Sequence, residues 1–166
     1  GASLFYPDAW ERFLAPIPVE EREDLVAAYR RRLSSDDESI RVEAAKAWSI
    51  WEASCSFLQQ DASFIAQFEA PQAAIAMAAI ECHYFTHGGF LENENQLLDR
   101  IDSIRHIPGV IVQGRYDVVC PPVSAWELHR RWPEAELQLI ADAGHSAFDE
   151  ANARALVAAT DRFAEG

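Results

Sequence analysis

Apolar positions recur with helical spacing over the first two thirds of the chain and form short unbroken runs in the last third. Up to about residue 105, apolar side chains return every three or four positions, which is typical of amphipathic helices. The segment Tyr6–Trp10 is predicted to open a short helix that ends before Pro16, and further helices are predicted over residues 19–33, 35–54, 62–68, 71–85 and 96–105. Val110–Val112 and Leu137–Ile140 are predicted strands, and residues 121–132 between them have the pattern of a helix.

The order of these elements predicts an α/β fold with an incomplete parallel sheet. A strand, a helix and a second strand form the repeating unit of doubly wound sheets, whose buried strands are continuously apolar. Two strands alone leave open edges, and a stable sheet needs further partners. We therefore expect a helical region over residues 1–105, a β-α-β-α portion over residues 106–166, and remaining strands in another part of a larger protein.

The composition narrows the classes of partner. A net charge of −13 opposes binding to nucleic acid or to an anionic membrane surface, because phosphate groups would be repelled. With 49% hydrophobic residues and five Trp, the chain can build a core, and it contains no apolar run that predicts a membrane span. The three cysteines are widely spaced and do not match a zinc pattern, which favours a reducing cytoplasm.

An acidic and a basic side chain follow the two predicted strands. Asp117 comes after the first strand, behind Gly114, and His145 comes after the second, behind Gly144. Taken singly, Asp117 could form an Asx-turn or cap the next helix, and His145 could be a surface-loop histidine. Taken together, they lie on adjacent loops at one edge of a parallel sheet, where an Asp can orient an imidazole as a general base. Their order, acid before histidine, is that of α/β-hydrolases.

Two glutamates lie on apolar helix faces. Glu52 follows Trp48 by one helical turn, and Glu81 is the single charged residue between Pro71 and Leu91. A carboxylate in apolar surroundings is costly unless a cation pairs with it. One interpretation is an internal salt bridge, for example with Lys46 or an arginine. The other is a pair of carboxylates that binds the ammonium group of a substrate.

Several segments resemble the prolyl aminopeptidases, also called proline iminopeptidases. The resemblance covers nearly the whole chain and includes segments without catalytic residues. It rests on the sequences of Val112–Asp117, Ala143–Ser146, Trp48–Glu52, Ile80–His87 and Ile104–Pro108.

The resemblance implies a serine peptidase of the α/β-hydrolase superfamily with a helical cap. Residues 1–105 would form the cap and residues 106–166 the C-terminal part of the core. Asp117 and His145 would be the acid and the base of the triad, and Glu52 and Glu81 would bind the N-terminal amine of a peptide that begins with proline. The nucleophilic serine and the oxyanion loop would come from a missing N-terminal half of the same hydrolase, and the reaction needs no metal or organic cofactor. Cys120 would lie near the pocket, unless it is a small buried filler.

Two other interpretations stay open. A different α/β-hydrolase, such as an esterase, an epoxide hydrolase or a dehalogenase, would share Asp117 and His145 without needing Glu52 and Glu81. A non-catalytic fragment or binding module would need none of the four. The sequence His87-Gly88-Gly89 is similar to a lipase oxyanion motif, but it follows a predicted helix, so we interpret it as a helix C-terminus.

Overall fold

The computed structural model describes residues 1–60 and 62–164. Within these residues the chain forms α-helices and one small sheet. The helices are α1 (Pro7–Leu14), α2 (Leu25–Leu33), α3 (Glu38–Ser56), α4 (Ala62–Gln67), α5 (Pro71–Thr86), α6 (Gln96–Asp99), α7 (Val123–Arg131) and α8 (Glu150–Ala164). The strands are β1 (Val110–Gly114) and β2 (Glu136–Ile140). No helix in this part of the chain combines the length and the apolar character needed to cross a membrane.

The chain divides into two compact units. The first contains residues 1–55 and 60–91, and the second contains residues 56–59 and 92–166; Asp61, Glu165 and Gly166 lie outside the described residues. Residues 92–105, which the sequence analysis grouped with the helical region, thus pack with the β-α-β-α portion. Arg131 binds Asp99 at 2.9 Å, and Arg105 binds Glu134 at 2.5 Å. These long-range ion pairs, which helical periodicity does not reveal, accompany the packing of this segment in the second unit.

The core of the first unit is a cluster of aromatic rings supplied by successive helices. Phe13 of α1 stacks on Tyr29 of α2 with ring centroids 4.6 Å apart, and Trp48 of α3 meets Tyr29 edge-on at 5.1 Å. Helix α5 faces this cluster with the small residues Ala74 and Ala78, both fully buried. Small side chains on one helix let it approach large rings on the others, so the apolar stripes predicted from the sequence share one core.

Two helix starts differ from the sequence prediction. The predicted helix over residues 19–33 is interrupted, because Oδ1 of Asp24 accepts a hydrogen bond from the backbone N–H of Ala27 at 2.9 Å and starts α2 afresh. The α3 helix, predicted over residues 35–54, begins at Glu38. Its capping carboxylate belongs to Asp37, whose Oδ1 accepts from the N–H of Ser39 at 2.8 Å, although Ser35 and Glu38 have the spacing of a capping box. Runs of Ser and Asp offer several competing caps, and sequence spacing alone does not choose between them.

The strands β1 and β2 pair in parallel, with Val110 opposite Glu136 and Gly114 opposite Ile140. Helix α7 connects them, and α8 packs against both strands. Parallel pairing places the carboxyl ends of the two strands at the same edge of the sheet. The loops that carry Asp117 and His145 therefore begin side by side, as the sequence predicts.

Candidate active site

An Asp–His pair occupies the carboxyl edge of the sheet in the second unit. Nδ1 of His145 lies 3.0 Å from Oδ2 of Asp117, within hydrogen-bonding distance. The Asp117 side chain is 5% exposed, whereas that of His145 is 37% exposed. The acid is thus enclosed by protein while the imidazole stays accessible, and an Nδ1 that faces the carboxylate leaves Nε2 available for proton transfer.

The second oxygen of Asp117 shapes its own loop. Oδ1 accepts hydrogen bonds from the backbone N–H groups of Val119 at 3.0 Å and Cys120 at 2.7 Å. This is an Asx-turn, the structure that the sequence predicts for Asp117 if it has no catalytic role. Both interactions occur at once, because each uses a different carboxylate oxygen, and the turn fixes the direction in which Oδ2 points.

Gln113, which the sequence analysis did not single out, also contacts the acid. Its Nε2 donates to Oδ2 of Asp117 at 3.1 Å and to the backbone carbonyl of Cys120 at 3.2 Å. A signal was present in the sequence, since Gln113 is a polar residue at the end of an apolar strand, four positions before the acid. The partner of its carboxamide depends on the turn at residues 117–120, which the strand pattern does not specify.

The backbone of the His145 loop is held from three sides. Nδ2 of Asn152 donates to the carbonyls on either side of the histidine, Gly144 at 3.1 Å and Ser146 at 2.9 Å. The N–H of Gly144 donates to Oδ2 of Asp149 at 2.7 Å. The N–H of Ser146 donates to the carbonyl of Ser56 at 2.7 Å. These bonds leave the loop little freedom to displace the imidazole.

Ser146 and Asp149 have the spacing of a capping box for helix α8, but they do not form one. Oγ of Ser146 accepts from the N–H of Phe148 at 3.1 Å, and the carboxylate of Asp149 turns towards Gly144 and the N–H of Leu58. Helix α8 begins directly after Asp149, at Glu150. The acidic group thus stabilises the histidine loop, because the loop N–H of Gly144 is buried beside it and needs an acceptor.

A pocket of about 230 Å³ opens beside the Asp–His pair. Val112, Ala147 and Leu156 give it an apolar side. Cys120 also lines it and is exposed, so the alternative that this cysteine is a buried filler is wrong. Asn152 lies at the pocket as well, and its buried Oδ1 has no hydrogen-bond partner among the described residues. Within that same part of the chain, no group of three or more His, Cys, Asp and Glu side chains could hold a metal ion.

Glu81 of the first unit binds the central aromatic cluster. Its Oε2 accepts a hydrogen bond from the indole Nε1–H of Trp48 at 2.8 Å. No lysine or arginine of the described residues forms an ion pair with it, so the salt bridge considered for Glu81 in the sequence analysis is not formed. The indole of Trp48 holds the Glu81 carboxyl group in position within the first unit.

Glu52 lies one helical turn after Trp48 on α3, and the two side chains therefore share a face of that helix. Trp48 in turn binds Glu81 on α5. The Glu52 side chain is half-buried. Burial, with the Glu52 charge as a smaller cause, raises the pKa of the nearby Cys55 thiol to about 12.

Comparisons with known proteins agree with the motifs. The family model for the alpha/beta hydrolase fold matches residues 2–152. The chain is 56% identical over 163 residues to a proline iminopeptidase of Xylella fastidiosa, covering 98% of this chain and 52% of the relative. It is 57% identical over 164 residues to one of Xanthomonas citri, covering 99% of this chain and 52% of the relative.

A plant relative extends the comparison. The chain is 48% identical over 163 residues to a proline iminopeptidase of Arabidopsis thaliana, covering 98% of this chain and 43% of the relative. The chain thus spans about half the length of the curated relatives it matches. The resemblance drawn from the sequence motifs and the predicted fold class are both confirmed.

Proposed function

This chain belongs to the α/β-hydrolase family, and we propose that it is part of a serine aminopeptidase that releases N-terminal proline from peptides. The observation that carries the proposal is the 3.0 Å contact between Nδ1 of His145 and Oδ2 of Asp117 at the carboxyl edge of a parallel sheet. The substrate class is supported by relatives named proline iminopeptidase, which are 48 to 57% identical over nearly all of this chain.

His145 is the general base and acid of the proposed reaction. With Nδ1 directed at Asp117, Nε2 accepts the proton of a serine hydroxyl as the serine attacks the carbonyl of the first residue. The same nitrogen then protonates the leaving amine, and the nearby carboxylate stabilises the imidazolium that forms between these steps. The serine and the backbone N–H groups of the oxyanion hole belong to the missing N-terminal half of the same hydrolase.

Glu52 and Glu81 are the proposed receptors for the free N-terminal amine. A prolyl ammonium group is a compact cation. One carboxylate that binds Trp48 and one that shares a helix face with Trp48 supply the charge to bind it. The absence of a Lys or Arg partner for Glu81 among the described residues supports this role. A blocked N-terminus would leave the carboxylate of Glu81 without a cation, so binding in this proposal depends on the free amine.

The proposal includes a division into domains. In it, residues 1–105 form a helical cap and residues 106–166 form the C-terminal part of the hydrolase core, although residues 92–105 pack with the second unit. The peptide substrate and the N-terminal half of the hydrolase are the partners in this proposal; nucleic acid and membranes are not. The odd number and wide spacing of the three cysteines favour a reducing compartment, so the cytoplasm is the proposed location.

The test is hydrolysis by the complete enzyme that contains this chain. It compares the p-nitroanilide of proline, the same compound with an acetylated nitrogen, and the p-nitrophenyl ester of a short fatty acid. The proposal predicts that the free prolyl compound is cleaved with the highest kcat/KM and that acetylation reduces kcat/KM at least tenfold. Preference for the ester, with no effect of the free amine, would identify an esterase of the same fold and reject the aminopeptidase.

A further inference from the structure

We propose that Gln113 is a positioning residue that aims the carboxylate of Asp117 at His145. The inference rests on the proposed function, because it gives the Asp–His pair a catalytic task. Gln113 is the last residue but one of β1, and its half-buried side chain points to the same edge of the sheet as the acid.

The carboxamide of Gln113 contacts the oxygen of Asp117 that matters for catalysis. Nε2 lies 3.1 Å from Oδ2, and the same Oδ2 accepts from Nδ1 of His145 at 3.0 Å. The glutamine and the histidine therefore share one carboxylate oxygen. A second donor on that oxygen defines the direction of its remaining lone pair, and so restricts where the imidazole N–H can bind.

Gln113 also holds the turn that follows the acid. Its Nε2 donates to the carbonyl of Cys120 at 3.2 Å, while the N–H of Cys120 donates to Oδ1 of Asp117 at 2.7 Å. Nε2 has a further acceptor in the carbonyl of Gly114 at 3.2 Å. One rigid strand residue thus ties together the strand end, the turn and the carboxylate, which limits rotation of the Asp117 side chain.

The chemistry of these contacts requires a hydrogen-bond donor at residue 113. Asp117 and the carbonyl of Cys120 are acceptors, so a glutamate at residue 113 would place like charges or lone pairs together. A methionine has nearly the same length and volume but donates no hydrogen bond. Both replacements keep the packing of the strand and remove the donor, and they separate positioning from simple space-filling.

The experiment compares Gln113→Met and Gln113→Glu with the same two changes at Gln138, in the complete enzyme. Gln138 is the matched control, because it lies on β2 opposite Val112 and its Nε2 also donates to a carboxylate, Oε1 of Glu136 at 2.6 Å. Since a hydrogen bond to a charged group is involved, we expect Gln113→Met to lower kcat about ten- to hundredfold with KM nearly unchanged. Both Gln138 variants should keep wild-type kcat.

Gln113→Glu distinguishes a positioning role from a purely structural one through the pH dependence of kcat/KM. The extra negative charge beside Asp117 favours the protonated imidazole, so the fall of kcat/KM on the acid side should begin at a higher pH than in the wild type. The Gln138→Glu profile should coincide with the wild type. Melting curves of all four variants show whether a loss of kcat reflects unfolding.

Two readouts keep this inference separate from the proposed substrate. Each variant is assayed on the prolyl anilide and on the acyl ester, and the proton resonance of the His145 Nδ1–H is recorded in histidine-labelled enzyme. If the wild type cleaves the ester and not the prolyl anilide, and Gln113→Met lowers kcat on the ester with a shifted resonance, the prolyl substrate is rejected and the role of Gln113 is supported. Wild-type kcat and an unmoved resonance in both Gln113 variants would overturn the inference while leaving the substrate intact.

Discussion

Gly114 faces the carbonyl oxygen of Gly144 so closely that a β-carbon at residue 114 would lie 1.9 Å from that oxygen. Gly114 ends β1, and Gly144 immediately precedes His145. The N–H of Tyr116, one residue before the acid, donates to the carbonyl of Ala143 at 3.0 Å. The loops that carry the acid and the base therefore meet through backbone atoms, and this close approach has no room for a side chain.

Gly114→Ala should separate these two loops. The β-carbon would force the backbone of the histidine loop to shift, at a cost of about 1–3 kcal/mol or more in the free energy of unfolding. We expect a lower melting temperature together with a kcat reduced at least tenfold. Gly88→Ala is the control: residue 88 has open space but a φ of +57°, so the change costs about 1–2 kcal/mol of backbone strain and should leave kcat unchanged. Wild-type stability and kcat in Gly114→Ala would contradict the close approach.

Glu81→Gln should weaken the use of peptides with a free amine while preserving the fold. The glutamine carbonyl can still accept from the indole N–H of Trp48, so the change removes the charge and keeps the hydrogen bond. We expect kcat/KM for a free prolyl substrate to fall about tenfold or more, with a similar fall for Glu52→Gln. The exposed Glu43 on the same helix as Glu52 provides the control, since Glu43→Gln should behave as wild type. Unchanged kcat/KM in both test variants would remove the glutamates from substrate recognition.

Glu21 should contribute stability in a pH-dependent way. Hydrogen bonds from Arg32 and Arg31 lower the pKa of Glu21 from its usual 4.5 to about 2. A group whose pKa is lowered by folding stabilises the protein fully above its unfolded pKa, and this contribution is lost as the pH falls through the folded pKa. Glu21→Gln should therefore lower the melting temperature at pH 7, and the difference should shrink as the pH is lowered from about 4.5 towards 2.

The control for this experiment is Glu20→Gln, at the neighbouring exposed carboxylate, which forms no ion pair in the described part of the chain. Thermal unfolding of the complete protein, followed by circular dichroism at each pH, gives the comparison. A Glu21→Gln deficit that is the same at every pH would show that the lost stability does not come from ionisation of this carboxylate.

The approach of Asp117 to His145 could be predicted from the sequence because it depends on topology. A strand, a helix and a parallel strand place the two following loops at one edge of the sheet, whatever the side chains around them. That Trp48 and Glu52 share a helix face could be predicted for a similar reason, since helical periodicity fixes which residues share a face.

The contacts of Gln113 and Asn152 could not be predicted from the sequence, because they depend on the conformations of two loops and not on periodicity. The carboxamide of Gln113 finds its acceptors in the turn after Asp117, and that of Asn152 finds them on either side of His145. The packing of residues 92–105 with the second unit involves ion pairs between residues about thirty positions apart, such as Arg105 with Glu134. Local sequence patterns carry no information about such pairs.

The central claim is that Asp117 and His145 act as the acid and the base of an aminopeptidase. The most direct measurement is kcat of the complete enzyme on a prolyl anilide for Asp117→Asn and His145→Gln, with Asp142→Asn in the histidine loop as the control. Removal of either partner should lower kcat by about three or more orders of magnitude, because Nε2 of His145 then loses its orientation or its proton-accepting role. The control should retain wild-type kcat. A kcat within tenfold of wild type in either Asp117→Asn or His145→Gln would contradict the assignment.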